Sequence, residues 1–155
     1  MKKNKQGFTL IELLVVIAII GLLSTLSIVA LNQARARARD ARRLADVKQI
    51  QTALEMYYND EGGYPATADV VAGQSIIGTA STTYMDIVPK APIPADGDTT
   101  GCAGATIYTY AVTASFNGST NGSYTLNYCL GSATGGIPVG LNTATPSGIS
   151  LRAVQ

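Results

Sequence analysis

The sequence predicts an α+β protein in which a long N-terminal helix, transmembrane in its first half, packs its second half on a small antiparallel β-sheet. Three observations lead there. Residues 8–31 are apolar with a single charge, Glu12. A helical spacing of apolar residues then continues with no proline before Pro65. From Gly62 on the composition changes to Gly, Pro, Thr and Ser with alternating aromatics, holding 14 of the 16 Gly and all six Pro.

The composition narrows the function. The chain has 155 residues, 46% apolar and 14% charged, with no His, no Trp and two Cys. Without His there is no Ser-His-Asp or Cys-His site and no His-ligated zinc or haem. Two Cys alone do not make a structural zinc site. No nucleophile–base pair or metal cluster can be assembled from the motifs present, so no enzyme, cofactor or resident metal is expected. A net charge of +1 argues against a generally basic nucleic-acid binder.

The first element is the apolar helix. Its 24 residues would extend about 36 Å, enough to cross a bilayer with some tilt. Lys2, Lys3 and Lys5 precede it, and a basic stub before an apolar run is a membrane-targeting signal. The run is too long for the apolar region of a secretory signal peptide. A plain anchor has no use for Glu12, because a carboxylate in a bilayer costs about 2.5–3.5 kcal/mol and marks a functional position by default. Its place one turn into the run lets partial snorkelling reduce that cost. A chain cut between Gly7 and Phe8 would carry a free amine with which Glu12 could pair.

The run Lys5-Gln6-Gly7-Phe8-Thr9-Leu10-Ile11-Glu12-Leu13-Leu14-Val15-Val16-Ile17-Ala18-Ile19-Ile20-Gly21 resembles the class III prepilin signature of type IV pilins and type II secretion pseudopilins. The resemblance implies that a prepilin peptidase of the membrane cuts after Gly7 and methylates the new amine of Phe8. It also implies that Glu12 pairs with the N-terminal amine of a neighbouring copy during filament assembly. The partners that follow are that peptidase, inner-membrane pilus or secretion assembly machinery, other copies of the chain in a helical homopolymer, and membrane lipid before assembly. Many pilins carry a proline late in the apolar helix, where this chain has Val29. Gly21, Ser24, Thr25 and Ser27 still make that stretch a weaker helix than its flanks.

The second half of the helix shows a stripe of Ala34, Ala38, Ala41, Leu44, Val47, Ile50, Leu54 and Tyr57. Arg42 and Asp46 stand at i,i+4 on the expected polar side. Asn59-Asp60-Glu61-Gly62-Gly63-Tyr64-Pro65 ends the helix, with a Gly for the left-handed cap and a Pro beyond it. Residues 8–61 would extend about 81 Å if wholly helical. Arg35, Arg37, Arg39, Arg42 and Arg43 form a basic patch, read as a solvated face or a subunit-packing surface. No aromatic residues interleave with it as stacking on nucleic acid, the role of competence pilins, would require. The patch opposes the positive-inside rule, which counts charges at the two membrane faces. The prepilin signature is the more specific signal, and it puts the Lys stub in the cytoplasm and the C-terminal domain outside.

In the C-terminal part, residues 106–112 and 123–130 read as strands with Tyr108, Tyr110 and Val112 on one face and Tyr124, Leu126, Tyr128 and Leu130 on another. Asn117-Gly118 and Asn121-Gly122 lie between them and predict a hairpin with a long turn. Its apolar face is expected to cover the stripe of residues 44–57. Cys102 and Cys129 fit an oxidising compartment either as a disulfide, worth about 3.5 kcal/mol on the chain-entropy model, or as two buried thiols. Asp96-Gly97-Asp98 is too poor in oxygen ligands for a full calcium loop and reads as a turn. Asn117-Gly-Ser and Asn121-Gly-Ser match glycosylation sequons and serve equally as hairpin-turn chemistry.

The organisation expected is a leader, residues 1–7, a transmembrane half-helix, 8–31, an amphipathic half-helix, 32–61, and a β-rich domain, 62–155. The function expected is a prepilin that polymerises into a type IV pilus or related filament at the cell surface. The alternatives are a major pseudopilin of a type II secretion system and a membrane-anchored binding module that never polymerises.

Overall fold

The structure is a computed structural model that describes residues 7–94, 102, 108–113 and 121–150. The chain divides into two compact units, Met1–Arg35 and Ala36–Gln155. The second half of the helix therefore belongs to the same compact unit as the sheets.

Helix α1 runs Leu10–Glu61 without interruption. It passes through Val29, the position where a proline would have removed a backbone donor. It stops at Gly62, whose φ of 74° is the left-handed conformation that glycine adopts without strain, and whose N–H donates to the Tyr58 carbonyl at 2.9 Å. Pro65 lies three residues further on.

A short 3-10 turn, Thr67–Asp69, follows the helix. Strands β1 (Ile76–Ile77) and β2 (Thr83–Met85) then make an antiparallel hairpin. Strands β3 (Thr109–Thr113), β4 (Ser123–Leu130), β5 (Gly140–Thr145) and β6 (Gly148–Ser150) form a four-stranded sheet in sequential order. All its neighbours are antiparallel, as short loops between adjacent strands require.

Strand β4 has the bounds expected from its alternation, because Tyr124, Leu126, Tyr128 and Leu130 are buried and the residues between them are half-buried. Strand β3 pairs with it, Tyr110 opposite Leu126 and Val112 opposite Tyr124. The two apolar sets expected on separate strand faces thus lie on one face of one sheet. Strand β5, Gly-Leu-Asn-Thr-Ala-Thr, has no apolar alternation and is revealed by its pairing with β4, as the short β6 is by its pairing with β5.

The core joins Val47, Ile50, Ala53 and Leu54 of α1 to tyrosines and leucines of β3 and β4, with Ile76, Val88 and Ala144 closing its margins. The helix face matches the expected stripe from Val47 onward. Earlier it does not: Ala34, Ala38 and Ala41 are exposed, and the buried face runs through Asp40 and Arg43 instead. The spacing 40, 43, 47, 50, 54 is still helical. An apolar pattern alone misses it because two of its members are charged.

Candidate functional site

The peptide between Gly7 and Phe8 lies outside the helix, two residues before its first residue. Both residues are exposed, Phe8 at 82%. Thr9 caps the helix. The Glu12 carboxylate accepts from the Thr9 N–H at 2.8 Å and from the Thr9 hydroxyl, and the Glu12 N–H donates to Thr9 Oγ1 at 3.3 Å. This is a capping box, which satisfies backbone donors at both its ends reciprocally. The Leu13 N–H bonds the Thr9 carbonyl at 3.3 Å, the first turn of the ladder. Thr9 was not singled out by the reading of the apolar run. The Thr-x-x-Glu spacing before that run is the local signal that identifies it.

Glu12 therefore has an intrachain partner in the uncut chain, one residue from the amide that cleavage after Gly7 would turn into an amine.

The apolar side chains of the first turns have no cover from the rest of the described chain. Leu10, Leu14, Ile20 and Leu26 are all more than half exposed. The helix is long and apolar enough to cross a membrane. Its hydroxyls are satisfied locally: Ser24 donates to the Ile20 carbonyl at 2.7 Å, Thr25 to Leu22 at 2.8 Å and Ser27 to Leu23 at 2.8 Å. In an apolar medium they would need no separate partner.

The basic patch separates into different environments. Arg37 and Arg42 are exposed, whereas Arg43 is buried and so is not part of a solvated face. Arg43 Nη1 lies 2.7 Å from Asp40 Oδ1, and its Nη2 donates to the carbonyls of Pro92 at 2.8 Å and Pro94 at 3.0 Å. Asp40 also accepts from the N–H groups of Gly131 and Ser132 and from the Ser132 hydroxyl. Asp46, expected on the polar side, is buried and accepts from the Tyr108 hydroxyl at 2.8 Å.

Cys102 and Cys129 are joined in a disulfide with Cα atoms 5.9 Å apart. Asn121 clasps the helix exit: its carbonyl accepts from the Tyr64 N–H at 2.9 Å, and its side-chain amide donates to the Tyr64 carbonyl at 3.0 Å. Asp96, Asp98 and Asn117 lie outside the described residues.

Among the described residues, no group of three or more His, Cys, Asp or Glu is placed to hold a metal ion. The buried phenols are held protonated well above neutral pH. Burial pushes Tyr124 and Tyr128 up to about 12. Burial and the Asp46 carboxylate raise Tyr108 further. None of these is poised for proton transfer near neutrality.

These features define a class: a protein with a helix that can cross a membrane, a capped and exposed N-terminal segment, and a disulfide-bonded β-rich unit. Residues 2–28 match the family model described as the prokaryotic N-terminal methylation motif. The chain is 36% identical over 66 residues to type II secretion system core protein G of Aeromonas hydrophila, covering 43% of this chain and 46% of that one. It is 34% identical over 107 residues to type IV major fimbrial protein FimA of Dichelobacter nodosus, covering 69% of this chain and 64% of that one. A fimbrial protein of the same organism is 36% identical over 105 residues, 66% of each chain. The chain spans about half the length of the secretion relatives it matches, and just under two-thirds of the fimbrial ones. No solved structure matches it. The motif and these relatives together support the type IV pilin and pseudopilin family for this chain, a family of structural subunits.

Proposed function

We propose that this chain is the precursor of a type IV pilus subunit, cut after Gly7, methylated on Phe8 and polymerised through its N-terminal helix. One observation favours a pilus over the other readings. The fimbrial match covers 107 residues. Residues 1–61 contain the leader segment and all of α1, so at least 46 matched residues (107 minus 61) belong to the β-rich part. The secretion match covers 66 residues, so the same subtraction requires only five beyond the helix.

The mechanism uses this chain's own groups. Cleavage turns the exposed Phe8 amide into an amine beside the Glu12 carboxylate. Helices leaving lipid for a filament core exchange one apolar environment for another, so packing and electrostatics decide the step. Glu12 supplies the charge that sets register, and the exposed aliphatic side chains of α1 supply the packing. Prepilin peptidase, the inner-membrane assembly machinery and other copies of the chain are the partners. The β-rich unit lies outside the cytoplasm, where its disulfide persists.

A type II secretion pseudopilin is the second reading, favoured by the matches to core protein G. Expression in the native host followed by electron microscopy and N-terminal sequencing tests the proposal. Long surface filaments whose subunits begin at methylated Phe8 are expected. An uncut N-terminus in the assembled protein would overturn it, and short periplasmic fibres without surface filaments would favour the second reading. Gly7→Ala is expected to be cut poorly or not at all.

A further inference from the structure

We infer that Arg35 and Arg37 bind the headgroup phosphates of anionic phospholipids in the leaflet opposite Glu12, an inference that rests on the reading of α1 as a membrane-spanning helix. Helix α1 continues without a break from the apolar run into the arginines. The 19 residues 13–31 carry no charge. As a helix they rise about 28 Å, close to the roughly 30 Å of a hydrocarbon layer. Asn32 and Gln33 follow, exposed and uncharged. Arg35 comes about 6 Å beyond Leu31, within a headgroup layer about 5–8 Å deep. Sliding α1 along its axis draws Glu12 into the hydrocarbon in one direction and Arg35 in the other. An ionised side chain is disfavoured there, so the two charges bracket the layer.

The guanidiniums are available for that partner. Arg35 and Arg37 are exposed and bond to no other residue among the described ones. Between Glu12 and Asp40 the sequence has no carboxylate. Asp40 is buried and already holds Arg43 and the N–H groups of Gly131 and Ser132. Helical side chains lean toward the helix N-terminus, so Arg35 leans back over Leu31 and toward the lipid. Its stem lies along apolar surface while its head stays among polar groups. A guanidinium presents a planar fork of donors that matches two phosphate oxygens. Arg37 stands about 200° round the helix from Arg35, so each meets a phosphate of its own. An anionic headgroup is favoured over a zwitterionic one, which carries its own cation beside the phosphate.

The chain has no Trp, so Leu31→Trp supplies a single fluorophore one turn below Arg35. The test places the full, uncut, disulfide-bonded chain in vesicles of equal parts phosphatidylglycerol and phosphatidylcholine, diluted until copies do not meet. The acyl chains of one lipid or the other are brominated. Bromine quenches Trp on contact, so the two preparations together read the lipid beside Arg35. Phosphatidylglycerol is expected to be enriched there about fivefold. Arg35→Gln is expected to bring the ratio close to one, and Arg37→Gln, on the opposite side, to leave it in place. With Ala30→Trp, which puts the fluorophore two turns below Arg37, the two variants are expected to exchange roles. Equal quenching by the two lipids, or an enrichment indifferent to which arginine is replaced, overturns the inference and leaves α1 in the membrane. A Trp quenched by neither lipid overturns the membrane reading, and the inference with it.

Discussion

Asp40 and Arg43 are buried together on one turn of α1, 0% and 3% exposed, with Oδ1 and Nη1 2.7 Å apart. Each also reaches a different part of the β-rich unit. Asp40 holds the backbone at Gly131 and Ser132 after β4, and Arg43 holds the carbonyls of Pro92 and Pro94. The pair therefore fastens the helix to two connections that lie more than 30 residues apart in sequence.

Asp40→Ala leaves the guanidinium of Arg43 buried without its carboxylate and two backbone N–H groups without an acceptor. Breaking one side of a buried pair costs about 3–5 kcal/mol. Thermal unfolding of the detergent-solubilised chain is expected to show a large fall in Tm. The double variant Asp40→Leu with Arg43→Met should recover much of that loss. If the single variant melts with the wild type, the pair contributes no net stability.

Thr9→Val removes the hydroxyl of the capping box while leaving the Glu12 carboxylate and the Thr9-position N–H. Loss of an N-cap costs about 1 kcal/mol. Amide exchange at residues 10–13 is expected to speed up, with residues 40–54 unchanged. Glu12→Ala should leave cleavage intact and sharply lower assembly, because it removes both the cap and the partner proposed for the Phe8 amine. Normal filament yield from Glu12→Ala would rule out that pairing.

Reduction of the Cys102–Cys129 bridge frees a loop with a sequence separation of 27. The chain-entropy model assigns such a loop about 3.5 kcal/mol. A lower Tm in reductant is expected, as is an unchanged mass when thiols are alkylated without reductant. Two alkyl groups added without reductant would show the thiols to be free.

Alkaline pH is expected to unfold the β-rich unit. Tyr124 and Tyr128 ionise near 10 when unfolded and at about 12 when folded, because burial disfavours the phenolate. A group whose folded pKa is raised contributes stability below its unfolded pKa and loses it as pH rises toward the folded one. Tm should thus be flat with respect to these groups below pH about 10 and fall between about 10 and 12. Tyr124→Phe should reduce that slope. A Tm independent of pH across this window would contradict the burial of these hydroxyls.

The N-terminal third of the molecule was legible because its properties are local. An apolar run, a Gly before it and an acid one turn into it act within a few residues, and helix geometry converts spacing directly into position. Strand β4 was legible for the same reason, through its period of two. The beginning of the buried helix face was not, because Asp40 and Arg43 look like surface residues until Gly131, Ser132, Pro92 and Pro94 are placed beside them. Strands β5 and β6 were missed because Thr, Asn and Gly acquire strand form there from their neighbours rather than from their own preference.

The sequence by itself thus determined a membrane-length helix, its one misplaced acid, the helix stop at Gly62 and a β-rich remainder. Tertiary structure decided which charges were buried and which tyrosines met which carboxylates. Those outcomes depend on contacts between residues tens of positions apart, and the cost of burying a charge is set by the partners it finds there.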